Sequence, residues 1–145
     1  GRLRTPMSKG SILVVDDEPH ITHVLALKFK NAGYDVRTAS DGEEAYELAC
    51  AAPPDIIITD LQMPYMSGLA LCLKLKATRV TAQVPAIMLT ARGHALEEND
   101  LLKTNIRLVL SKPFGPRQVL ETVQEILRGE AERKAREGER GAAAA

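Results

Sequence analysis

The chain has 145 residues, of which 45% are hydrophobic, 26% are charged and only 3% are aromatic, and its 19 basic residues balance its 19 acidic residues. This composition indicates one folded domain, and the zero net charge and scarce aromatic rings argue against a nucleic-acid-binding protein. The apolar runs are too short for a membrane span. The cysteines, Cys50 and Cys72, lack the spacing of a zinc site, which favours free thiols in a reducing cytoplasm.

Both ends of the chain differ in pattern from its middle. Residues 1–10 hold three glycines or prolines and three basic residues, so we expect a disordered start, with residues 1–6 left from expression and Met7 as the natural first residue. Residues 128–145 are rich in charge, with Glu130/Lys134 and Glu132/Arg136 four residues apart, which predicts a polar helical extension or linker. The folded domain is therefore expected over residues 11–127.

Between these ends, aliphatic runs alternate with helical patterns. Strands are predicted at residues 12–15, 34–39, 55–60, 84–90 and 106–110. Helices are predicted to begin at Pro19, after Asp41, at the N-cap Ser67, at residue 95 and at residue 115. The helix over 95–104 has only a thin apolar stripe. The spacing predicts a core face on the first helix that consists of Ile21, Val24, Leu25 and Phe29. On the third helix it predicts a core face of Leu69, Cys72 and Leu73.

The alternation of strand and helix predicts an α/β fold with a parallel sheet. Strands that are apolar throughout are typical of a sheet covered by helices on both faces. Five strands in about 120 residues fit a doubly wound, five-stranded sheet with the flavodoxin-like order 2-1-3-4-5. In such sheets a binding site lies at the carboxyl ends of the strands, near the point where the strand order reverses.

Polar residues stand at four of these predicted strand ends. Asp16 and Asp17 follow the first strand, Asp60 ends the third, Thr90 ends the fourth and Lys112 follows the fifth. Clustered carboxylates either raise one another's pKa or hold a hard cation, and oxygen ligands suit Mg²⁺ or Mn²⁺. A carboxylate beside such a cation can accept a phosphoryl group, with the lysine and threonine facing its oxygens. The first strand is followed by no glycine-rich phosphate loop, which excludes a P-loop nucleoside triphosphatase.

Four motifs at these positions carry a resemblance to a known family. They are Ile-Leu-Val-Val-Asp-Asp-Glu-Pro at 12–19, Asp-Leu-Gln-Met-Pro-Tyr-Met-Ser-Gly at 60–68, Leu-Thr-Ala at 89–91 and Lys-Pro-Phe at 112–114. Together they resemble the receiver domain of two-component response regulators over residues 11–126. The resemblance implies a phosphorylation-controlled switch that catalyses only its own modification, with a histidine kinase or histidine phosphotransfer protein as donor.

The resemblance also implies a role for each site residue. Asp60 would be the phosphoacceptor, and Mg²⁺ would be held by Asp17, Asp60 and the backbone carbonyl of Gln62, with Asp16 acting mainly through metal-bound water. Lys112 would pair with the phosphoryl group and Thr90 would move toward it. The residues next to the phosphoryl group would be Gln62, Ala91 and Arg92. The Lys112–Pro113 peptide bond would be cis.

Three positions depart from the usual receiver pattern. Asn105-Ile106 replaces a common Gly-Ala before the fifth strand, and we expect Asn105 to adopt the left-handed conformation. Val109 stands where an aromatic switch residue is common, so we expect the loop and helix from Ala91 to Asn105 to move on phosphorylation while Val109 keeps its rotamer. We expect a partner surface within residues 95–127, through which two copies of the chain could pair. We expect this domain itself to contact neither nucleic acid nor membrane.

Two alternatives remain for function. One is a degenerate receiver that acts as a phosphorylation-independent binding module, against which the complete set of site residues argues. The other is a carboxylate-based phosphatase of the haloacid dehalogenase kind. Such enzymes carry a second Asp two residues after the nucleophile, where this chain has Gln62, which cannot protonate a leaving group.

Overall fold

A computed structural model of the chain describes residues 7–91 and 96–144. The strands are β1 (Ser11–Val15), β2 (Asp35–Ala39), β3 (Ile56–Asp60), β4 (Ala86–Thr90) and β5 (Ile106–Ser111). The helices are α1 (Pro19–Asn31), α2 (Gly42–Ala51), α3 (Gly68–Ala77), α4 (Glu98–Leu102) and α5 (Pro116–Ala144), with a 3₁₀ turn at Arg79–Thr81. No helix within the described ranges combines the length and hydropathy needed to cross a membrane.

The strands form one parallel sheet in the order β2-β1-β3-β4-β5, which confirms the predicted topology. The strand order reverses beside β1, which pairs with both β2 and β3. The carboxyl ends of β1, β3 and β4 are therefore neighbours, and β5 lies beside β4. The three central strands are fully buried, whereas the edge strands β2 and β5 are partly exposed.

Alternate side chains of the strands point into two separate cores. One core packs under α1 and α5 and includes Ile12, Val14, Ile56, Ile58, Ile87, Leu89, Leu25, Phe29, Val119 and Val123. The other packs under α2 and α3 and includes Leu13, Val15, Ile57, Ala86, Met88, Ala45, Ala49, Leu71, Cys72 and Leu75. Because both faces of the sheet are covered, the strands are apolar throughout.

The helical core faces differ from the prediction at two positions. Val24 of α1 is 44% exposed and Leu73 of α3 is 38% exposed. The buried face of α3 is formed by Gly68, Leu71, Cys72 and Leu75. Since α3 carries leucines on all its sides, residue spacing alone does not identify the side that meets the sheet. The predicted N-cap of α3 is confirmed, because Ser67 Oγ accepts a 3.0 Å hydrogen bond from the Ala70 N–H.

The expectation for Asn105 is wrong. Within the described residues, Tyr65 is the one non-glycine residue with a positive φ. Asn105 instead uses its side chain, since Nδ2 donates to the Ala82 carbonyl oxygen and Oδ1 accepts a 3.2 Å bond from Lys76 Nζ. These bonds fix the turn before β5 by side-chain hydrogen bonding, which removes the need for a left-handed residue.

The last helix continues without a break through the charged segment, as far as Ala144. Its described ion pairs differ from those predicted by spacing, because Arg133 pairs with Glu130 at 2.7 Å and with Glu137 at 2.8 Å. Glu130 also accepts a 3.1 Å bond from Arg107 Nε of β5. This contact ties the extension to the sheet.

Candidate functional site

Three aspartates meet at the carboxyl edge of the sheet, beside the point where the strand order reverses. Asp16 and Asp17 directly follow β1, and Asp60 is the last residue of β3. Each offers a carboxylate oxygen, and these oxygens all lie within 4.8 Å of one another. The spacing is short enough for one cation to contact all three groups.

The aspartates differ in their exposure to water. Asp16 is 1% exposed and Asp60 is also buried, whereas Asp17 faces solvent. Burial raises the pKa of Asp16 to about 6, against a 2.9 Å hydrogen bond from the Glu18 N–H that favours the charged form. Burial also raises the pKa of Asp60, opposed by Lys112 and reinforced by the negative charges of Asp17 and Glu18.

Lys112 supplies the positive charge of the site. Its Nζ lies 3.7 Å from Asp60 Oδ1, and its side chain is one-third exposed. The backbone positions it, because the Lys112 N–H donates a 2.9 Å hydrogen bond to the Thr90 carbonyl oxygen at the end of β4. The Lys112–Pro113 peptide bond is cis.

Two buried polar atoms at this edge have no hydrogen-bond partner within the described part of the chain: Asp16 Oδ2 and Thr90 Oγ1. Thr90 is completely buried. A buried polar group without a partner costs about 1–3 kcal/mol of stability. Such costs are typical of functional sites, where a ligand supplies the missing bonds. The buried carboxylate oxygen fits a hydrated cation, and the hydroxyl fits an oxyanion.

The loop between β3 and α3 holds Asp60 from behind. A Cβ atom on Gly68 would overlap the Asp60 carbonyl oxygen, so only glycine permits this close approach. The Leu61 N–H donates a 2.8 Å hydrogen bond to the Leu89 carbonyl, and the Gly68 N–H donates a 2.9 Å bond to the Leu61 carbonyl. Gly68 closes the second sequence motif, but the motif alone does not reveal that its missing side chain makes room for the Asp60 carbonyl.

The same loop contains a strained residue. Tyr65 has a φ of 68° and its side chain is fully exposed. It is the middle residue of a tight turn in which the Met66 N–H donates a 2.8 Å bond to the Pro64 carbonyl. This turn with a positive φ is rare and strained for a residue with a side chain. The neighbouring Met66 packs against Gly42 at the start of α2.

Three of the remaining predicted site residues are exposed or half-buried, in contrast to the buried Asp16, Asp60 and Thr90. Gln62 is exposed and Ala91 is half-buried, each close in sequence to a strand that ends at the site. Val109 is half-buried and packs against the core under α2 and α3, paired with Met88 of β4. Arg92 lies outside the described residues.

Known proteins resemble this chain in sequence and in fold. The family model described as the response regulator receiver domain matches residues 12–124. The chain is 39% identical over 117 residues to the alkaline phosphatase synthesis transcriptional regulatory protein PhoP of Bacillus subtilis, covering 81% of this chain and 48% of the relative. It is 33% identical over 118 residues to the phosphate regulon transcriptional regulatory protein PhoB of Pseudomonas aeruginosa, covering 81% and 52%. It thus spans about half the length of these relatives.

Solved structures show the same fold. The Vibrio cholerae chemotaxis response regulator CheY4 superposes with a TM-score of 0.74 at 32% identity, covering 83% of this chain and 98% of that chain. The receiver domain of the Francisella response regulator 1452 gives a TM-score of 0.75 at 29% identity, covering 84% and 99%.

Proposed function

This chain belongs to the response regulator receiver domain family, and on that basis we propose that Asp60 accepts a phosphoryl group and thereby switches the conformation of the domain. The family is one of signalling domains rather than of metabolic enzymes. The observation that carries the proposal is that three carboxylates, Lys112 and the Thr90 hydroxyl meet at one edge of the sheet, where the hydroxyl has no hydrogen-bond partner among the described residues.

The acidic cluster fits Mg²⁺, with Mn²⁺ as a substitute, because its donors are all oxygens and one buried carboxylate oxygen lacks a partner within residues 7–91 and 96–144. Asp17, Asp60 and the Gln62 backbone carbonyl would hold the ion, and Asp16 would act through metal-bound water. When bound, the ion offsets the negative charge of the carboxylates and of the phosphoryl oxygens.

The chain's own residues position and stabilise the transfer. A carboxylate oxygen of Asp60 forms a bond to phosphorus as the bond between phosphorus and the donor's histidine nitrogen breaks, and the released imidazole then takes up a proton. The ammonium of Lys112, already 3.7 Å from Asp60, attracts the negative oxygens of the phosphoryl group. The donor would be a histidine kinase or a histidine phosphotransfer protein.

The Thr90 hydroxyl links the modification to a change in shape. It is buried without a partner among the described residues, so a phosphoryl oxygen on Asp60 offers it a hydrogen bond that the unmodified site does not. Arg92 and Ala91 follow it in the chain and would lie near the phosphoryl group, where an arginine shields it from water. The movement would then reach α4, whose residues are all at least partly exposed.

The output surface would comprise residues 95–127, through which two copies pair. PhoP and PhoB are named as transcriptional regulators, and this chain matches about half of each. We therefore place any contact with nucleic acid outside the receiver domain itself. The cytoplasmic location stays a prediction.

Incubation with acetyl phosphate tests the proposed chemistry. We expect the intact mass to increase by one phosphoryl group in the presence of Mg²⁺, and to remain unchanged after addition of a chelator or in Asp60→Asn. Lack of modification of the wild-type protein would favour the binding-module alternative. Repeated turnover of para-nitrophenyl phosphate would instead favour a phosphatase. Gln62 argues against that function, because its side chain cannot protonate a leaving group.

A further inference from the structure

A cavity lies at the amino ends of the strands, on the opposite edge of the sheet from the aspartates. It has a volume of about 340 Å³, which is within the range of small-molecule sites. Its walls come from the segments that precede β1, β3 and β4, from the 3₁₀ turn after α3, and from the part of α5 around Glu130. Among the residues that the structure describes, none of those assigned to phosphorylation lines it.

Three cationic side chains line this cavity: Lys9, Arg79 and Lys134. All three residues are exposed, and none of their side chains has an ion-pair or hydrogen-bond partner within residues 7–91 and 96–144. They come from three segments that are far apart in the sequence. The fold therefore brings together positive charges that helix periodicity does not group.

The two acidic residues of the lining are already engaged by other groups. Asp55 Oδ2 accepts a 2.8 Å hydrogen bond from the Ser11 N–H. Glu130 accepts from Arg107 at 3.1 Å and from Arg133 at 2.7 Å, and these two guanidinium groups lower its pKa against the opposing effect of burial. The described lining of the cavity therefore carries an excess of positive charge, because its two carboxylates are paired with other groups.

The floor of the cavity is apolar and rigid. It includes three prolines, two of them buried, together with valine and leucine side chains: Pro53, Pro54, Pro85, Val80, Val84 and Leu127. Proline side chains are apolar and have little conformational freedom to lose, so an aromatic or heteroaromatic ring can pack against this lining at little entropic cost.

We propose that this cavity binds a small oxyanion that carries a flat apolar body, such as an aryl phosphate or an aryl dicarboxylate. The ring lies on the proline floor, and the charged group faces Lys9, Arg79 and Lys134. Because Lys134 belongs to the extension of α5 and Arg79 to the domain, the ligand also fastens the extension to the body of the protein. This inference is independent of phosphorylation at Asp60.

Backbone amide NMR of the full chain without Mg²⁺ tests the proposal with phenyl phosphate, phthalate and inorganic phosphate as probes. We expect saturable shifts in residues 79–84 and 130–134 with phenyl phosphate or phthalate, and binding about tenfold weaker with inorganic phosphate, which lacks the ring. The comparison of phenyl phosphate with phthalate shows whether the site prefers phosphate or carboxylate.

Charge variants separate a built site from general attraction to a positive surface. Arg79→Ala and Lys134→Ala should each weaken binding about fivefold, the loss of one partly exposed charge pair. Lys103→Ala, which removes an exposed cation after α4, should leave binding unchanged. The proposal would be overturned by any of three results: no saturable shifts, equal weakening by Lys103→Ala, or shifts confined to the Asp60 edge. Each result would indicate instead that the cations only offset the negative carboxyl ends of α2 and α3.

Discussion

Replacing Asp16 with Asn should stabilise the metal-free protein at neutral pH. The carboxyl group is buried, one of its oxygens has no partner within the described residues, and its pKa is raised from 3.8 to about 6. Asn keeps an oxygen that can accept the hydrogen bond from the Glu18 N–H. Its amide group is neutral, and it can donate toward the neighbouring carboxylates instead of repelling them.

The magnitude follows from the pKa difference between the folded and unfolded states. One pKa unit corresponds to 1.36 kcal/mol, so the shift from 3.8 to about 6 corresponds to a cost of up to about 3 kcal/mol when Asp16 is fully ionised. Because the folded-state pKa is the higher one, protonation favours the folded state. The cost is absent below about pH 4, grows between pH 4 and 6, and is complete above pH 6.

Urea unfolding of the wild type and of Asp16→Asn from pH 4 to 7.5 measures this cost. We expect nearly equal free energies of unfolding at pH 4 and a gain of up to about 3 kcal/mol for the variant at pH 7.5, or roughly 9 °C in Tm. Asp17→Asn is the matched control, because that side chain faces solvent and should show a smaller gain. A pH-independent difference, or a variant less stable at pH 7.5, would refute the electrostatic explanation.

Three further predictions concern the loop behind Asp60 and the switch. Tyr65→Asn should raise the free energy of unfolding by about 0.5–1 kcal/mol, because Asn tolerates a positive φ and the exposed ring loses no packing, whereas Tyr65→Phe should leave it unchanged in thermal melts. Gly68→Ala should lower stability by about 2–3 kcal/mol and slow acetyl phosphate labelling, since a Cβ overlaps the Asp60 carbonyl. Gly138→Ala, whose Cβ would meet no described atom within 4 Å, should leave labelling unchanged and stability unchanged or higher. Methyl NMR with a beryllofluoride mimic should show shifts in residues 96–104 without a change of the Val109 rotamer, and the reverse pattern would exclude α4 as the responding element.

The sheet and the aspartate cluster follow from local features of the sequence. An aliphatic run marks each strand, and charged or hydroxyl residues follow such runs at Asp16, Asp60 and Thr90. The parallel topology then places these residues at one edge of the sheet. These features depend on residues that are close in the chain, so pattern analysis finds them.

Features that depend on contacts between distant segments were not predictable in this way. The exposure of Leu73 depends on which side of an all-round apolar helix meets the sheet. The bonds from Asn105 to Lys76 and Ala82 join segments more than twenty residues apart, and so does the pairing of Arg107 with Glu130. The proline-floored cavity is likewise formed by five separate segments.

Borohydride trapping of the acyl phosphate tests the central claim most directly. Reduction of a phosphorylated aspartate yields homoserine, so peptide mapping after treatment with a phosphohistidine donor or acetyl phosphate identifies the acceptor. We predict homoserine at position 60 alone, dependent on Mg²⁺ and absent when the donor is omitted. Homoserine at position 16 or 17, or none anywhere in a protein shown to be folded, would contradict the account.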